Sequence, residues 1–334
     1  MIKWRNRKML LLLSLGIIIV FVLIVSYDLG YISKANYIRN YEINEYSQVM
    51  AGIKPSIVVD GLAVYERGEG DPVLLFPYPH ADAEIPMAYS RLADILVGLG
   101  RKVISFDPPG AFYSVKAPTC EMDEMLESAG IALSELGIDR EVDVAGHSMS
   151  SLCALAFAIK YPERVKNLVL IGSMSGFPAA IKYGMPGSTW KWTDLDYWKV
   201  MYWGLKLTNG SGSVAVHKKL SNLMGKASFH DESFHSELEI RQEDYTKGVP
   251  IRRTWSKNMW KNVDYSDQLS SVKARTLLCV GRFDTQTPLV LSEDLKKGIH
   301  DATLIIFENS GHAPFIEEEI TFRKHLVDFL LTSG

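Results

Sequence analysis

An unbroken run of apolar or small residues occupies positions 9–25, directly after Lys3, Arg5, Arg7 and Lys8. As a helix rising about 1.5 Å per residue it would be roughly 25 Å long, near the thickness of a bilayer's hydrocarbon once Ser26 and Tyr27 are added at the interface. The apolar part of a cleaved signal peptide is usually shorter, and Val25-Ser26-Tyr27-Asp28 offers no small-x-small cleavage site. The pattern therefore predicts an uncleaved single-span anchor over residues 1–27, with the lipid bilayer contacted by residues 9–27. The basic flank before the span, against only Lys34 and Arg39 soon after it, places the N-terminus in the cytoplasm. The rest of the chain is then expected outside, at the cell membrane. Residues 28–55 are polar, rich in Tyr and Asn and without a sustained period, which reads as a stalk.

Beyond residue 55 the pattern changes to short apolar runs separated by turn residues. Ile57–Val59 and Leu62–Tyr65 flank Asp60-Gly61, a strong hairpin signal. Val73–Phe76 and Val103–Phe106 are continuous apolar runs, suited to strands buried on both faces. Pro86–Gly100 and Glu121–Leu136 carry helical spacing, the second with an acidic face and with Met125, Ile131 and Leu133 turned inward. Strands recur at Val142–Ala145, Leu168–Ile171, Thr276–Val280 and Thr303–Phe307, and Glu317–Leu331 closes the chain as a helix. This alternation predicts an α/β fold with a mostly parallel sheet and helices on both faces.

Residues 142–158 combine a short apolar strand, a turn of small residues and a helix rich in Ala and Leu. Ser148 stands at the turn, with Gly146 and Ser150 two positions to either side. A serine hydroxyl is a poor nucleophile until a base takes its proton, so it needs a sharp, rigid bend where a histidine can reach it. Gly-His-Ser-Met-Ser resembles the nucleophile elbow of the α/β-hydrolase fold family, with Ser150 where relatives usually carry a second glycine. The resemblance extends from about Ser56 to the C-terminus. It implies a hydrolase core over residues 56–173 and 268–334, with a helical cap inserted at residues 174–267.

In that family the catalytic order along the chain is Ser, acid, His. Asp284 lies just past the strand Thr276–Val280 and His312 just past Thr303–Phe307, so Ser148, Asp284 and His312 are the expected catalytic residues. His312 would take the Ser148 proton, and Asp284 would fix the histidine's tautomer. No Asp or Glu occurs between Glu163 and Asp194, where some relatives place the acid, and Asp301 precedes a strand. The N–H of Met149, at the start of the elbow helix, is the expected oxyanion donor. The second donor comes, in the family, from the loop after the third strand, usually His-Gly. Here that loop reads Pro77-Tyr78-Pro79-His80; the prolines have no N–H, which leaves Tyr78, His80 and their immediate successors. Asp107 is expected to shape its own loop.

Residues 174–267 hold six of the seven tryptophans. Their density favours an apolar pocket over a site for sugar or highly charged substrates, with Trp190, Trp198, Trp203 and His80 as candidate lining. A net charge of −3 gives no electrostatic reason to expect nucleic acid. Cys153 and Cys279 read as buried thiols. His230 and His235 are spaced by five, which does not align two ligands on one helical face; no metal and no organic cofactor is expected.

These features imply a membrane-anchored serine hydrolase that cleaves an ester or related acyl bond of a small, partly apolar substrate through an acyl-serine intermediate. A serine at the elbow disfavours the chemistries for which relatives use aspartate. Two alternatives stay open, a peptidase similar to the proline iminopeptidases and a non-catalytic ligand-binding member of the fold. Carbon–carbon bond hydrolases share the Ser-Met elbow, which alone does not select them.

Overall fold

The computed structural model describes residues 16–26, 53–79, 86–183, 195–208, 219–220, 222–223, 228–234 and 263–331. Eight strands form one sheet: β1 (Ile57–Val59), β2 (Leu62–Arg67), β3 (Asp71–Leu75), β4 (Arg101–Phe106), β5 (Val142–His147), β6 (Val165–Ile171), β7 (Arg275–Gly281) and β8 (Ala302–Phe307). Their spatial order is β1-β2-β4-β3-β5-β6-β7-β8. The β1–β2 and β2–β4 pairs are antiparallel and every other pair is parallel. The first hairpin turns through Asp60 and Gly61, both at positive φ, which matches the right-handed twist of the flanking strands.

Because alternate strand residues face opposite ways, each parallel strand feeds two cores. On one face Leu74, Val144, Leu168, Leu170 and Leu278 pack under α3 (Met122–Glu135), α4 (Met149–Lys160) and α7 (Leu289–Gly298). On the other, Val73, Leu75, Ala145, Val169, Ile171 and Cys279 pack under α2 (Arg91–Gly98) and α9 (Glu319–Leu331). The chain leaves this core through α5 (Phe177–Tyr183) and α6 (Leu195–Thr208). It returns beside its point of exit, where Gly176 bridges Asp264 and the Tyr265 N–H donates to the Ser175 carbonyl at 2.8 Å.

Several local expectations are corrected. Residues 86–100 begin as a single turn at Met87–Tyr89, and the helix starts only after Ser90, whose hydroxyl caps it by accepting the Ala93 N–H. The final helix is broken at Glu318, separating α8 (Pro314–Glu317) from α9. Glu121, Asp123 and Glu127 are exposed on the acidic face of α3, whereas Glu124 is buried and its carboxylate accepts the N–H groups of Thr119 and Cys120. All three cysteines are buried free thiols.

Residues 16–26 form helix α1, with Ile17 to Ile24 exposed. Among the described residues no helix is long and apolar enough to cross a membrane. The first part of the apolar run, residues 9–15, and the stalk up to residue 52 lie outside the described residues.

Candidate active site

The elbow is built by close backbone approach. A Cβ on Gly146 would overlap the Ser150 carbonyl, so only glycine fits there. The Ser150 hydroxyl accepts the His147 N–H and donates to the His147 carbonyl, both at 2.9 Å. It satisfies two buried backbone groups that a glycine at this position would leave to other partners. Between them Ser148 is held at φ 55° and ψ −124°, a strained conformation for a residue with a side chain. Its N–H donates to the Ile171 carbonyl of β6, and its own carbonyl accepts from the Ser151 N–H and hydroxyl. The side chain is thereby placed at the sheet's rim, ahead of α4. Met149 opens that helix, where backbone N–H groups have no intrahelical acceptor and the helix dipole favours negative charge.

Asp284 and His312 leave β7 and β8 at the same rim and meet, with Asp284 Oδ2 2.8 Å from His312 Nδ1. Asp284 Oδ1 accepts the N–H groups of Gln286 and Thr287, and the Thr287 hydroxyl donates to Oδ2 at 2.8 Å. Burial alone would raise this carboxyl. The charge and hydrogen bond of His312, with the Thr287 groups, outweigh it and hold Asp284 below its ordinary range. An ionised acceptor at Nδ1 keeps the proton on that nitrogen. Nε2 of His312 is buried and, among the described residues, has no hydrogen-bond partner, the Ser148 hydroxyl included. Gly172, at positive φ just after β6, makes room for this ring: a Cβ there would sit 2.9 Å from His312 Cε1.

His147, beside the serine, takes part in a way the sequence did not suggest. Its ring lies 4.6 Å from that of His312, centroid to centroid, which brings the His312 imidazole to the elbow. Its Nε2 is 2.8 Å from the His312 carbonyl and its Nδ1 2.6 Å from the Tyr78 hydroxyl. The hydroxyl of Tyr78 thus faces His147, while its backbone lies on the loop after β3, where the second oxyanion donor was sought. His80 and Trp190 lie outside the described residues. Trp203 is partly buried, edge-on to Tyr202, with the ammonium of Lys219 5.0 Å from its ring. Trp198, on the same helix, is 55 % exposed. Asp107 is buried, its Oδ2 bonded to the Tyr65 hydroxyl and the Tyr113 N–H. Burial pushes its carboxyl up to about 7 against those two bonds.

A mostly parallel sheet with a strained serine after β5, an acid after β7 and a histidine after β8 defines a class, and the chain belongs to it. The family described as alpha/beta hydrolase fold matches residues 82–319. Among characterised proteins, the chain is similar to the 2-hydroxy-6-oxononadienedioate/2-hydroxy-6-oxononatrienedioate hydrolase of Cupriavidus pinatubonensis, at 28 % identity over 253 residues. That match covers 72 % of this chain and 80 % of the relative. The 2-hydroxy-6-oxo-6-phenylhexa-2,4-dienoate hydrolase of Comamonas testosteroni is 28 % identical over 275 residues, covering 79 % of this chain and 89 % of that one. An alpha/beta fold family hydrolase from Bacillus anthracis superposes with a TM-score of 0.67 at 21 % identity, over 80 % of this chain and 95 % of the other.

Proposed function

We propose that the chain is a serine hydrolase that cleaves an ester or related acyl bond of a small, partly apolar substrate. The observation that carries this reading is the His312 imidazole. It is bonded to Asp284 at Nδ1, has no partner at Nε2 among the described residues, and is packed on the residue that precedes a strained serine at the sheet's rim. As Ser148 Oγ attacks the acyl carbon, its proton passes to His312 Nε2, and Asp284 stabilises the imidazolium that forms. The negative charge on the acyl oxygen is received by the Met149 N–H at the head of α4, with the second donor from the backbone of the loop bearing Tyr78. His312 then gives its proton to the leaving group. A water, deprotonated by the same nitrogen, releases the acyl group and regenerates the serine.

A second reading is hydrolysis of a carbon–carbon bond in a 2-hydroxy-6-oxo-dienoate, the substrate class for which the relatives are named. The two readings share the elbow and the base and differ in the leaving group, a carbanion equivalent in place of an alkoxide. Parallel assays of the full-length chain separate them, with p-nitrophenyl esters of increasing acyl length against a chromophoric 2-hydroxy-6-oxo-dienoate. Ester turnover that is lost in Ser148→Ala supports the first. Turnover of the dienoate alone replaces it with the second.

Residues 174–267 are proposed to act as the cap over the site, between core segments 56–173 and 268–334. Residues 9–27 are proposed to hold the protein to the cell membrane with the N-terminus in the cytoplasm. The uncharged run and its basic flank support this, as do the exposed apolar side chains of α1.

A further inference from the structure

A short strap from the inserted region lies across both loops that carry Asp284 and His312. The Ser228 carbonyl accepts the N–H of His312 at 2.6 Å, and the Ser228 hydroxyl accepts from Gln286 Nε2. The His230 ring lies flat on Phe283, the residue before Asp284, with centroids 3.8 Å apart and planes 8° from parallel. Gly311, the residue before His312, has no room for a side chain, since a Cβ would come 2.5 Å from the Ser228 carbonyl oxygen.

One carboxylate closes this arrangement. Glu317 Oε1 accepts the N–H groups of His230 at 2.7 Å and Asp231 at 3.0 Å, while Oε2 accepts the N–H of Gly311 at 2.6 Å. The side chain at the end of α8 therefore ties the strap to the backbone of the histidine loop. Its neighbour Glu318 accepts the Asn309 N–H and the Ser310 hydroxyl, which fixes the rest of that loop. Three N–H donors on one carboxylate require an acceptor at both oxygens. A glutamine could serve one side only, because its NH2 group would confront the N–H on the other.

We propose that Glu317 is a positioning residue that couples the seating of residues 228–231 to the placement of His312. The strap thereby helps to hold the Asp284–His312 pair in place for Ser148. The inference rests on the reading of Ser148, Asp284 and His312 as the catalytic set. A shift of about 1 Å in a catalytic group costs on the order of 100-fold in rate, so a loosened strap should be felt in chemistry before it is felt in folding.

The test uses the full-length protein and its Glu317→Ala and Glu317→Gln variants, with two readouts and a melting curve for each. The first readout is the downfield proton NMR signal of the hydrogen-bonded His312 Nδ1–H, assigned by its loss in His312→Gln. The second is the rate of labelling by a fluorophosphonate. Both variants are expected to shift or broaden the signal and to label at least about 10-fold more slowly. Formate should restore much of both in Glu317→Ala, where it can occupy the emptied carboxylate position, and not in Glu317→Gln. Unchanged signal and labelling in both variants overturn the inference. So does a loss that formate leaves untouched and that follows the fall in melting temperature, since that marks a merely structural contact. If Glu317→Ala does not fold, Glu317→Gln decides alone by the same two readouts. If the wild type fails to label, the serine hydrolase reading falls separately. The NMR signal then still decides whether Glu317 holds His312.

Discussion

His147 has a hydrogen-bond partner at each ring nitrogen, and the partners fix its tautomer. The His312 carbonyl can only accept, so His147 Nε2 carries the proton and Nδ1 receives the Tyr78 hydroxyl proton. The Tyr78 hydroxyl is thereby committed, and any oxyanion contact from this residue falls to its backbone. Burial, followed by the nearby His312, lowers His147 to about 3, so it stays neutral at all ordinary pH values. The consequence for stability has a definite sign. Below the ordinary histidine value of about 6.5 the unfolded chain binds a proton that the folded chain refuses, so stability falls as pH falls toward 3. Urea unfolding should show about 2 kcal/mol of this loss between pH 7 and pH 5. His147→Gln, whose amide can still donate to the His312 carbonyl, should lack that component. An equal slope in the variant would show that His147 titrates normally.

Between β5 and α4, and between β6 and β7, the elements approach so closely that single side chains decide the site's shape. Gly172 illustrates this, with a virtual Cβ 3.0 Å from His312 Nδ1 and 3.1 Å from Thr287 Oγ1. Gly172→Ala should cost about 1–2 kcal/mol in unfolding free energy through its positive φ. It should also lower kcat on the order of 100-fold by moving the imidazole; unfolding curves and turnover measured together check both. Much at this scale was legible. The bounds of α4, Met149–Lys160, follow from a small-residue turn and an Ala- and Leu-rich run. Helix α7 is absent from the predicted elements, although Pro288 before it, Leu291 and Leu295 one turn apart and Gly298 at its end mark it in the sequence. The break at Glu318 was not legible, because Glu317 and Glu318 carry no apolar period there. Their carboxylates bond loop backbone that is distant until the chain folds. The burial of Glu124 was not legible for a similar reason, since a glutamate in the third helical position can reach back to N–H groups before the helix.

For the molecule as a whole, the placing of Ser148, Asp284 and His312 at one rim was legible because each follows an apolar run within a few residues. A parallel sheet delivers such strand ends to one rim. The contacts of His147 and of the strap at residues 228–231 were not legible, because they join groups distant along the chain that no sequence motif marks. The proposed anchor makes a prediction at this scale. In sucrose-gradient flotation with phosphatidylcholine vesicles the full chain should rise with the lipid, and a chain lacking residues 1–27 should stay at the bottom. Equal flotation of the two would remove the anchor from the account. The central claim, that Ser148 is a nucleophile activated by His312, is tested most directly by fluorophosphonate labelling of the full-length protein followed by peptide mass spectrometry. The account predicts a single adduct on Ser148, absent from Ser148→Ala and slowed by several orders of magnitude in His312→Gln. A folded wild type that takes no label, or takes it at another residue, would contradict the claim.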